Sequence, residues 1–266
     1  MPVEQMTAGS IEELVHQAVS IGDTTARIAG LWYRGVSCRE YSLHPGLLRD
    51  DKDVAAIFAR EERLLTRFRQ RSVAYWPSGY PQTNWEQLFA MQHYGAPTRL
   101  LDWSESLLAS AHFALSGHGH EAGEHEGPCI PTVWCIDPVA WNRSAPVFSE
   151  YGESVTVLTT NEDSVDAYAP FCEKKRLKFP VAIYGTHNTE RIVAQRGTFT
   201  VWGEETRDLK ELAGDNPQNL WQVDLTGDKE QMLDQLRLTG FTETMVFPDL
   251  DSLAKELTRT EGWTDE

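Results

Sequence analysis

Apolar residues recur at helical spacing in six segments of the chain. From Val54 to Arg71 the apolar side chains fall on one face, which predicts an amphipathic helix. Ser10 and Glu13 have the spacing of a capping box and predict a short N-terminal helix at residues 10–20. The other four predicted helices are Trp85–His93, Ser104–Leu115, Lys229–Leu238 and Leu250–Leu257.

Short runs rich in β-branched and aromatic residues predict strands between these helices. Gly197 indicates a turn between two short strands, the first of which contains Arg191 and Gln195. Strands and helices are mixed rather than strictly alternating, so we expect an α+β fold with a mixed β core. With no internal repeat or long linker, one domain is predicted at 1–266, its core at about 27–257. The other predicted strands are Arg27–Gly35, Thr132–Ile136, Ser154–Thr159, Val181–Tyr184 and Thr198–Trp202.

The acidic composition narrows the classes of partner. The chain has 266 residues and a formal net charge of −16, and such a surface repels nucleic acid unless a local basic patch exists. We therefore expect no duplex-binding role, whereas a basic partner such as a cognate regulator fits this charge. The helix predicted from Val54 carries Arg60, Arg63, Arg67 and Arg69, for which a solvated face and an anion-attracting stripe both remain open.

The sequence shows neither a membrane-spanning segment nor a signal peptide, and this predicts the cellular compartment. No apolar run approaches the roughly 20 residues that a membrane span requires. The N-terminus also lacks the basic, apolar and small-residue pattern of a signal peptide. We therefore expect a cytoplasmic protein that engages no membrane. In that reducing compartment Cys38, Cys129, Cys135 and Cys172 are expected to be small core residues rather than disulfide partners.

The segment Gln92–Trp103 concentrates polar and aromatic side chains directly after a predicted helix. The planar guanidinium of Arg99 suits a phosphate or carboxylate, and Asp102 can hold that arginine or bind a ribose hydroxyl. Trp103 can stack on a flat ring. The alternative is an Arg99–Asp102 ion pair that only stabilises a helix start. The candidate site residues of this segment are His93, Thr98, Arg99, Asp102 and Trp103.

Two further groups of residues are candidates for the same site. Arg34 and Gly35 lie near the end of a predicted strand, where a ligand-binding arginine and a surface ion pair are both open. In the later segment, Arg191 or Gln195 can face a cleft, and Glu190 is either a functional carboxylate or a solvated charge.

Several motifs of the chain occur in order from about Leu31 to Leu257. They are Tyr33-Arg34-Gly35, Leu43–Arg49, Gln92–Ser104, Ala111–Ala114, Arg191–Thr200 and Phe247–Ala254. This ordered set resembles the FRG domain family, with Tyr33 in place of the phenylalanine that names it. The resemblance implies one FRG-like domain over most of the chain, but it does not by itself imply a reaction.

The layout is also similar to that of NAD-dependent ADP-ribosyltransferases, which implies a split sheet. In those enzymes an early Arg binds NAD, a Ser/Thr turn supports the nicotinamide ribose, and a late Glu stabilises an oxocarbenium-like transition state. Arg34, the turn Asp102–Ser104 and the turn Gly197–Phe199 occupy these three places.

The late carboxylate is where the chain departs from that pattern. Counting back from Gly197, the place expected for Glu holds Arg191, with Glu190 beside it. Gln195 cannot carry the negative charge that stabilises a developing cation. Either Glu190 serves after a one-residue shift, which would turn a strand side chain to the other face, or the chemistry is altered or absent.

Three function classes follow. The first is an ADP-ribosyltransferase that uses NAD as substrate, has a protein or nucleic-acid acceptor, and acts as a toxin or effector in anti-phage defence or in a toxin–antitoxin pair. The second is a non-catalytic module that binds a nucleotide or another anion through Arg34, His93 and Arg99. The third is a nuclease that uses His93, Asp102 and the loop His118–His125, although such loops rarely preorganise a metal site and no metal is predicted. The transferase hypothesis explains the ordered layout best. Its predicted catalytic residues are Arg34, His93, Glu190 and Gln195. Its predicted cofactor-binding residues are Arg34, Gly35, Thr98, Arg99, Asp102, Trp103, Ser104 and Arg191.

Overall fold

Eight strands, ten α-helices and five short 3₁₀ helices make up the regular structure of the residues described by the computed structural model, which are 3–26, 28–49, 53–76, 79–117, 129–186, 190–214 and 219–263. This content confirms the predicted α+β fold with a mixed β core. The strands are β1 (Glu4–Ala8), β2 (Trp32–Val36), β3 (Leu100–Ser104), β4 (Thr132–Ile136), β5 (Leu158–Thr159), β6 (Val181–Tyr184), β7 (Gly197–Val201) and β8 (Leu220–Leu225). The helices are α1 (Ile11–Thr24), α2 (Val54–Ser72), α3 (Asn84–His93), α4 (Leu107–Ser116), α5 (Pro138–Ser144), α6 (Glu190–Gln195), α7 (Leu209–Ala213), α8 (Lys229–Leu238), α9 (Glu243–Val246) and α10 (Leu250–Thr260).

The strands hydrogen-bond in the order β1-β8-β4-β2-β3-β7-β6-β5. The outer pairs β1–β8 and β5–β6 are parallel, and the other neighbours are antiparallel. At the centre, β2 and β3 pair only at Tyr33 and Ser104, whereas each pairs with its other neighbour over five residues. The sheet therefore consists of two four-stranded halves, β1-β8-β4-β2 and β3-β7-β6-β5, that meet at one residue pair.

Helix α4 packs directly on β2 next to this junction. A Cβ atom on Gly35 would lie 1.8 Å from the Ser110 carbonyl oxygen and 2.8 Å from the Ala114 nitrogen, so only glycine fits here without a shift of the backbone. The α4 residues that face the sheet are small, and Ala111 and Ala114 are fully buried. This close contact fixes the position of β2, and with it the position of Arg34, which precedes Gly35 in that strand.

Most predicted helices are present, with boundaries set by their caps. Helix α8 has the predicted limits because Asp228 accepts from the Gln231 N–H at its start. Helix α4 begins at Leu107 rather than at Ser104, because Ser104 still pairs in β3 and Ser106 caps the helix. The predicted strand Ser154–Thr159 is reduced to Leu158–Thr159.

The segment before Gly197 is helical, so the strand predicted there is wrong. Helix α6 ends at Gln195, and Arg196 has a φ of 47° that turns the chain into β7. Of the adjacent apolar residues, Ile192 is buried whereas Val193 is 54% exposed. A two-residue apolar run does not distinguish a helix from a strand, so the sequence pattern before Gly197 is too short to decide.

Two of the cysteines form a disulfide, so the prediction of four unpaired cysteines is wrong for Cys38 and Cys129. Cys38 follows β2 and Cys129 precedes β4, and these antiparallel neighbours bring the two Cα atoms to 4.6 Å. The pairing joins positions 91 residues apart, which spacing in the sequence does not reveal. Cys135 and Cys172 carry free thiols.

The helices of the described ranges include none with the length and apolar character needed to cross a bilayer.

Candidate functional site

A cavity of about 400 Å³ opens where the two halves of the sheet meet. Strands β2 and β3 form its floor, and the ends of α3 and α6 stand beside it. Eight of the eleven predicted site residues line it, although they are dispersed along more than half of the chain. These eight are Arg34, Gly35, His93, Asp102, Trp103, Ser104, Arg191 and Gln195.

Arg34 and Asp102 face each other across the junction. The Arg34 Nη1 donates to the Asp102 backbone oxygen at 2.7 Å and lies 3.9 Å from the Asp102 Oδ2. Gln92 on α3 donates from its Nε2 to the same Oδ2 at 2.7 Å, and Thr98 donates to the Gln92 Oε1. The Arg34 Nε is buried and has no hydrogen-bond partner in the described part of the chain. The carboxylate is thus held in place by Gln92 and faces the Arg34 guanidinium.

The surroundings shift the pKa values of both groups. Burial lowers the pKa of Arg34, and the negative charge of Asp102 opposes that shift. Withdrawal from bulk water raises the pKa of Asp102, and both the Arg34 charge and the Gln92 hydrogen bond oppose it. Each group therefore favours the charged form of the other, and the cavity contains an opposed cation and anion.

His93 ends α3 and is half-buried at the cavity wall. Burial lowers the pKa of its imidazole, the nearby positive charge of Arg191 lowers it further, and Asp102 acts in the opposite direction. The ring is therefore predominantly neutral at pH 7 and can accept a proton. Arg191 itself is exposed, and its guanidinium lies over the Phe247 ring at 4.7 Å.

Ser104 and Gln195 connect the cavity wall to neighbouring elements. The Ser104 hydroxyl donates to the Gln195 backbone oxygen at 2.6 Å, and it accepts from the Ser106 N–H at 2.9 Å. The Gln195 amide donates to the Val246 carbonyl at 3.1 Å. These bonds hold α6 between β3 and α9, which gives both side chains a positioning role in the wall.

Arg99 does not reach the cavity, and its partner is not Asp102. Its side chain is fully buried, where Nε and Nη2 donate to the Glu61 Oε2 at 2.9 and 2.8 Å. Its Nη1 donates to the Trp202 carbonyl and its Nη2 to the Tyr168 carbonyl. With these donors engaged inside the core, Arg99 is a packing residue.

The other predicted groups also lie away from the cavity surface or outside the described residues. Thr98 is buried, does not line the cavity and contacts it only through Gln92. The backbone of Glu190 begins α6, but its side chain lies outside the described residues. The loop His118–His125 also lies outside them. No cluster of metal-ligating side chains occurs in the ranges that the structure describes.

Eleven lining residues were not among the predicted site residues, and four of these shape the cavity most directly. Gln92 orients Asp102, and the rings of Phe89, Phe113 and Phe199 supply apolar walls. Phe89 and Phe199 stack with centroids 4.9 Å apart. Gln92 lies in the distinctive segment and could have been selected for its amide. The phenylalanines have ordinary core spacing, which gives no signal of a cavity.

Residues 29–122 match the sequence model of the FRG domain. The segment 29–122 is the part of the chain that is similar to the FRG domain. The FRG match confirms the predicted family and includes the segments that supply Arg34, Gln92, His93 and Asp102 to the cavity. No curated protein and no solved structure matches the chain significantly. Because Arg191 lies beyond the matched segment, part of the cavity wall comes from outside the FRG match.

Proposed function

We propose that this FRG domain binds NAD in the cavity and transfers its ADP-ribose to an acceptor. The observation that carries the proposal is the pair at the junction, where Arg34 on one half of the sheet faces Asp102 on the other. The narrow junction between the two halves supports the comparison with a split sheet. A role as a toxin or effector, in anti-phage defence or a toxin–antitoxin pair, belongs to the same proposal, since modification of an essential cellular acceptor would arrest growth.

The cavity offers groups suited to each part of a dinucleotide. Arg34 lines the cavity with a side chain that is 20% exposed, and Arg191 adds a second positive charge at the wall. Guanidinium groups suit the pyrophosphate because they bind its oxygens through paired N–H groups. The rings of Phe113 and Phe199 supply flat apolar surface for a base or the nicotinamide.

Asp102 supplies the negative charge that the sequence pattern placed on a later residue. When the bond between the ribose C1′ and the nicotinamide nitrogen breaks, its electron pair leaves with nicotinamide and positive charge develops on the ribose. The Asp102 carboxylate stabilises that charge, and Gln92 keeps it oriented. The acceptor then forms a bond to C1′, and its proton goes to the neutral imidazole of His93.

The test separates NAD binding from transfer. Asp102→Asn keeps an oxygen for the Gln92 amide but removes the charge, so we expect NAD affinity within a few-fold of wild type and transfer lowered about 10²- to 10³-fold. Arg34→Ala is expected to abolish detectable NAD binding, and Arg34→Lys to restore part of it. Calorimetry measures the binding, and incorporation of label from radiolabelled NAD into a cell lysate measures the transfer.

Arg207→Ala is the matched control, since this exposed arginine pairs with Glu205 away from the cavity. If Arg34→Ala binds NAD and labels the lysate as wild type does, the proposal fails. NAD binding with no product from wild type over hours would instead establish a non-catalytic nucleotide-binding module. Circular dichroism melting curves show whether each variant is folded.

A further inference from the structure

Three arginines form an exposed face on α2. Arg63, Arg67 and Arg71 follow one another at intervals of four residues, which places them along one side of a helix. All three are exposed, and none forms an ion pair with another residue in the described ranges. This arginine face extends for about 12 Å, given the rise of an α-helix.

The acidic side chains of α2 do not neutralise this face. Glu61 is buried against Arg99, and Glu62 pairs with Arg176 at 3.4 Å. Arg69 also turns away, since its Nη1 donates to the Asn84 side chain at 3.0 Å. A chain with a net charge of −16 therefore keeps a local strip of positive charge on one helix.

A shallow apolar groove runs beside the arginine face. It has a volume of about 330 Å³, Arg67 and Arg71 border it, and Leu64 and Phe68 contribute apolar lining. Tyr75, which also borders the groove, is 81% exposed. Positive charge and accessible aromatic surface thus occur side by side.

Aromatic rings continue from the groove to the cavity. Phe68 contacts Trp76 with ring centroids 6.4 Å apart, Trp76 contacts Tyr94 at 6.0 Å, and Tyr94 contacts His93 at 4.8 Å. Tyr94 is 63% exposed, and His93 lines the cavity. The ring contacts therefore connect the arginine face with the wall at which we place proton transfer.

We propose that the arginine face and the series of rings Phe68, Trp76, Tyr94 and His93 bind single-stranded nucleic acid and present it to the cavity as the acceptor. The binding itself is independent of the proposed transfer, whereas the acceptor role rests on it. Arginines suit backbone phosphates, and exposed rings suit unpaired bases. A duplex would hide its bases from the rings and bring more phosphates toward the acidic remainder of the surface. An acidic peptide would use the arginines but would leave Tyr75 and Tyr94 without a role.

Fluorescence anisotropy with labelled 12-nucleotide single strands of RNA and of DNA tests the binding, with the RNA duplex and polyglutamate as competitors. Wild type is expected to bind a single strand in preference to both competitors, and the two strands show whether RNA or DNA is preferred. Tyr94→Ala should weaken binding about tenfold, the effect of losing one stacked base. The triple change Arg63→Gln, Arg67→Gln and Arg71→Gln should reduce the slope of log affinity against log salt by about 2, at about 0.7 per phosphate contact.

The matched control removes three other arginines in the same way. Arg207, Arg237 and Arg259 are partly exposed and lie outside the arginine face, so their change to Gln should leave the salt slope within about 0.7 of wild type. Equal reductions of the salt slope in the two triple variants would overturn the proposal. So would preferential binding of polyglutamate or of duplex, or binding that does not change in Tyr94→Ala. Arg34→Ala should retain strand binding, so loss of NAD chemistry alone does not count against this surface.

Discussion

Glu61→Gln removes the negative charge that faces Arg99 inside the core. The side chains of Arg99 and Glu61 are 0% and 1% exposed, and two guanidinium N–H groups donate to the Glu61 Oε2. Removing one partner of a buried pair leaves the other charge without compensation, which costs about 3–5 kcal/mol. The amide oxygen of Gln still accepts a hydrogen bond, so we expect about 3 kcal/mol, the lower end of that range.

The loss is measured as the free energy of unfolding in urea, followed by circular dichroism and tryptophan fluorescence. At 2–4 °C for each kcal/mol in a chain of this size, the melting temperature should fall by roughly 6–12 °C. Glu62→Gln is the matched control on the same helix. Its partner is Arg176, and the Glu62 side chain is 37% exposed, so its loss should stay below about 1 kcal/mol.

Two results would refute the assignment of Arg99 to packing. One is a loss of less than about 1 kcal/mol in Glu61→Gln, or a loss equal to that of Glu62→Gln. The other is a large fall in NAD affinity at temperatures where Glu61→Gln is fully folded, since that would give Arg99 a part in binding. The double variant Glu61→Leu with Arg99→Met should recover only part of the stability, because it removes both buried charges together but leaves the Trp202 and Tyr168 carbonyls without their donor.

Two further perturbations test the packing at the junction and the charges in the cavity. Gly35→Ala should lower the free energy of unfolding by about 3 kcal/mol or more, because its Cβ meets the α4 backbone. The control is Gly22→Ala in α1, where a Cβ has no atom within 4 Å, and it should raise the free energy of unfolding by up to about 1 kcal/mol. Thermal melts compare the two variants with wild type. Arg191→Gln should raise the pKa of His93 because it removes a charge that disfavours the imidazolium, and Asp102→Asn should lower it because it removes a charge that favours the imidazolium. Titration of the imidazole by NMR gives the order of the three proteins, and the reverse order would contradict the described surroundings of His93.

The elements that the sequence predicts well are those whose signals are local. Helix α8 has the predicted limits because Asp228 caps its start and Gly240 follows its end. Strand β1 carries no such signal, since four of its five residues are not buried. It becomes a strand by pairing in parallel with β8, which is more than 200 residues away. Sequence patterns cannot show a pairing at that distance.

Some residues of the candidate site could likewise be predicted from local sequence, whereas others depend on distant contacts. Arg34 and Asp102 could be selected from their residue types and neighbours, and the structure brings both to one cavity. Arg99 has the same chemistry in the sequence, but the partner that buries it, Glu61, is 38 residues away. The carboxylate expected before Gly197 depended on a strand, and that segment is a helix instead. Which of several arginines faces a ligand depends on tertiary contacts rather than on local spacing.

The single pair of residues at which the sheet halves meet has a consequence for how the chain folds and unfolds. The backbone crosses from one half to the other between β2 and β3, returns to β4, crosses again to β5 and returns after β7. No single cut therefore separates the two halves, despite the few hydrogen bonds between β2 and β3. Neither half is complete without residues from both sides of the crossings, so we expect both to unfold in one cooperative transition. Because β2 and β3, which form the floor of the cavity, belong to different halves, we expect the cavity to be lost in the same transition as both halves.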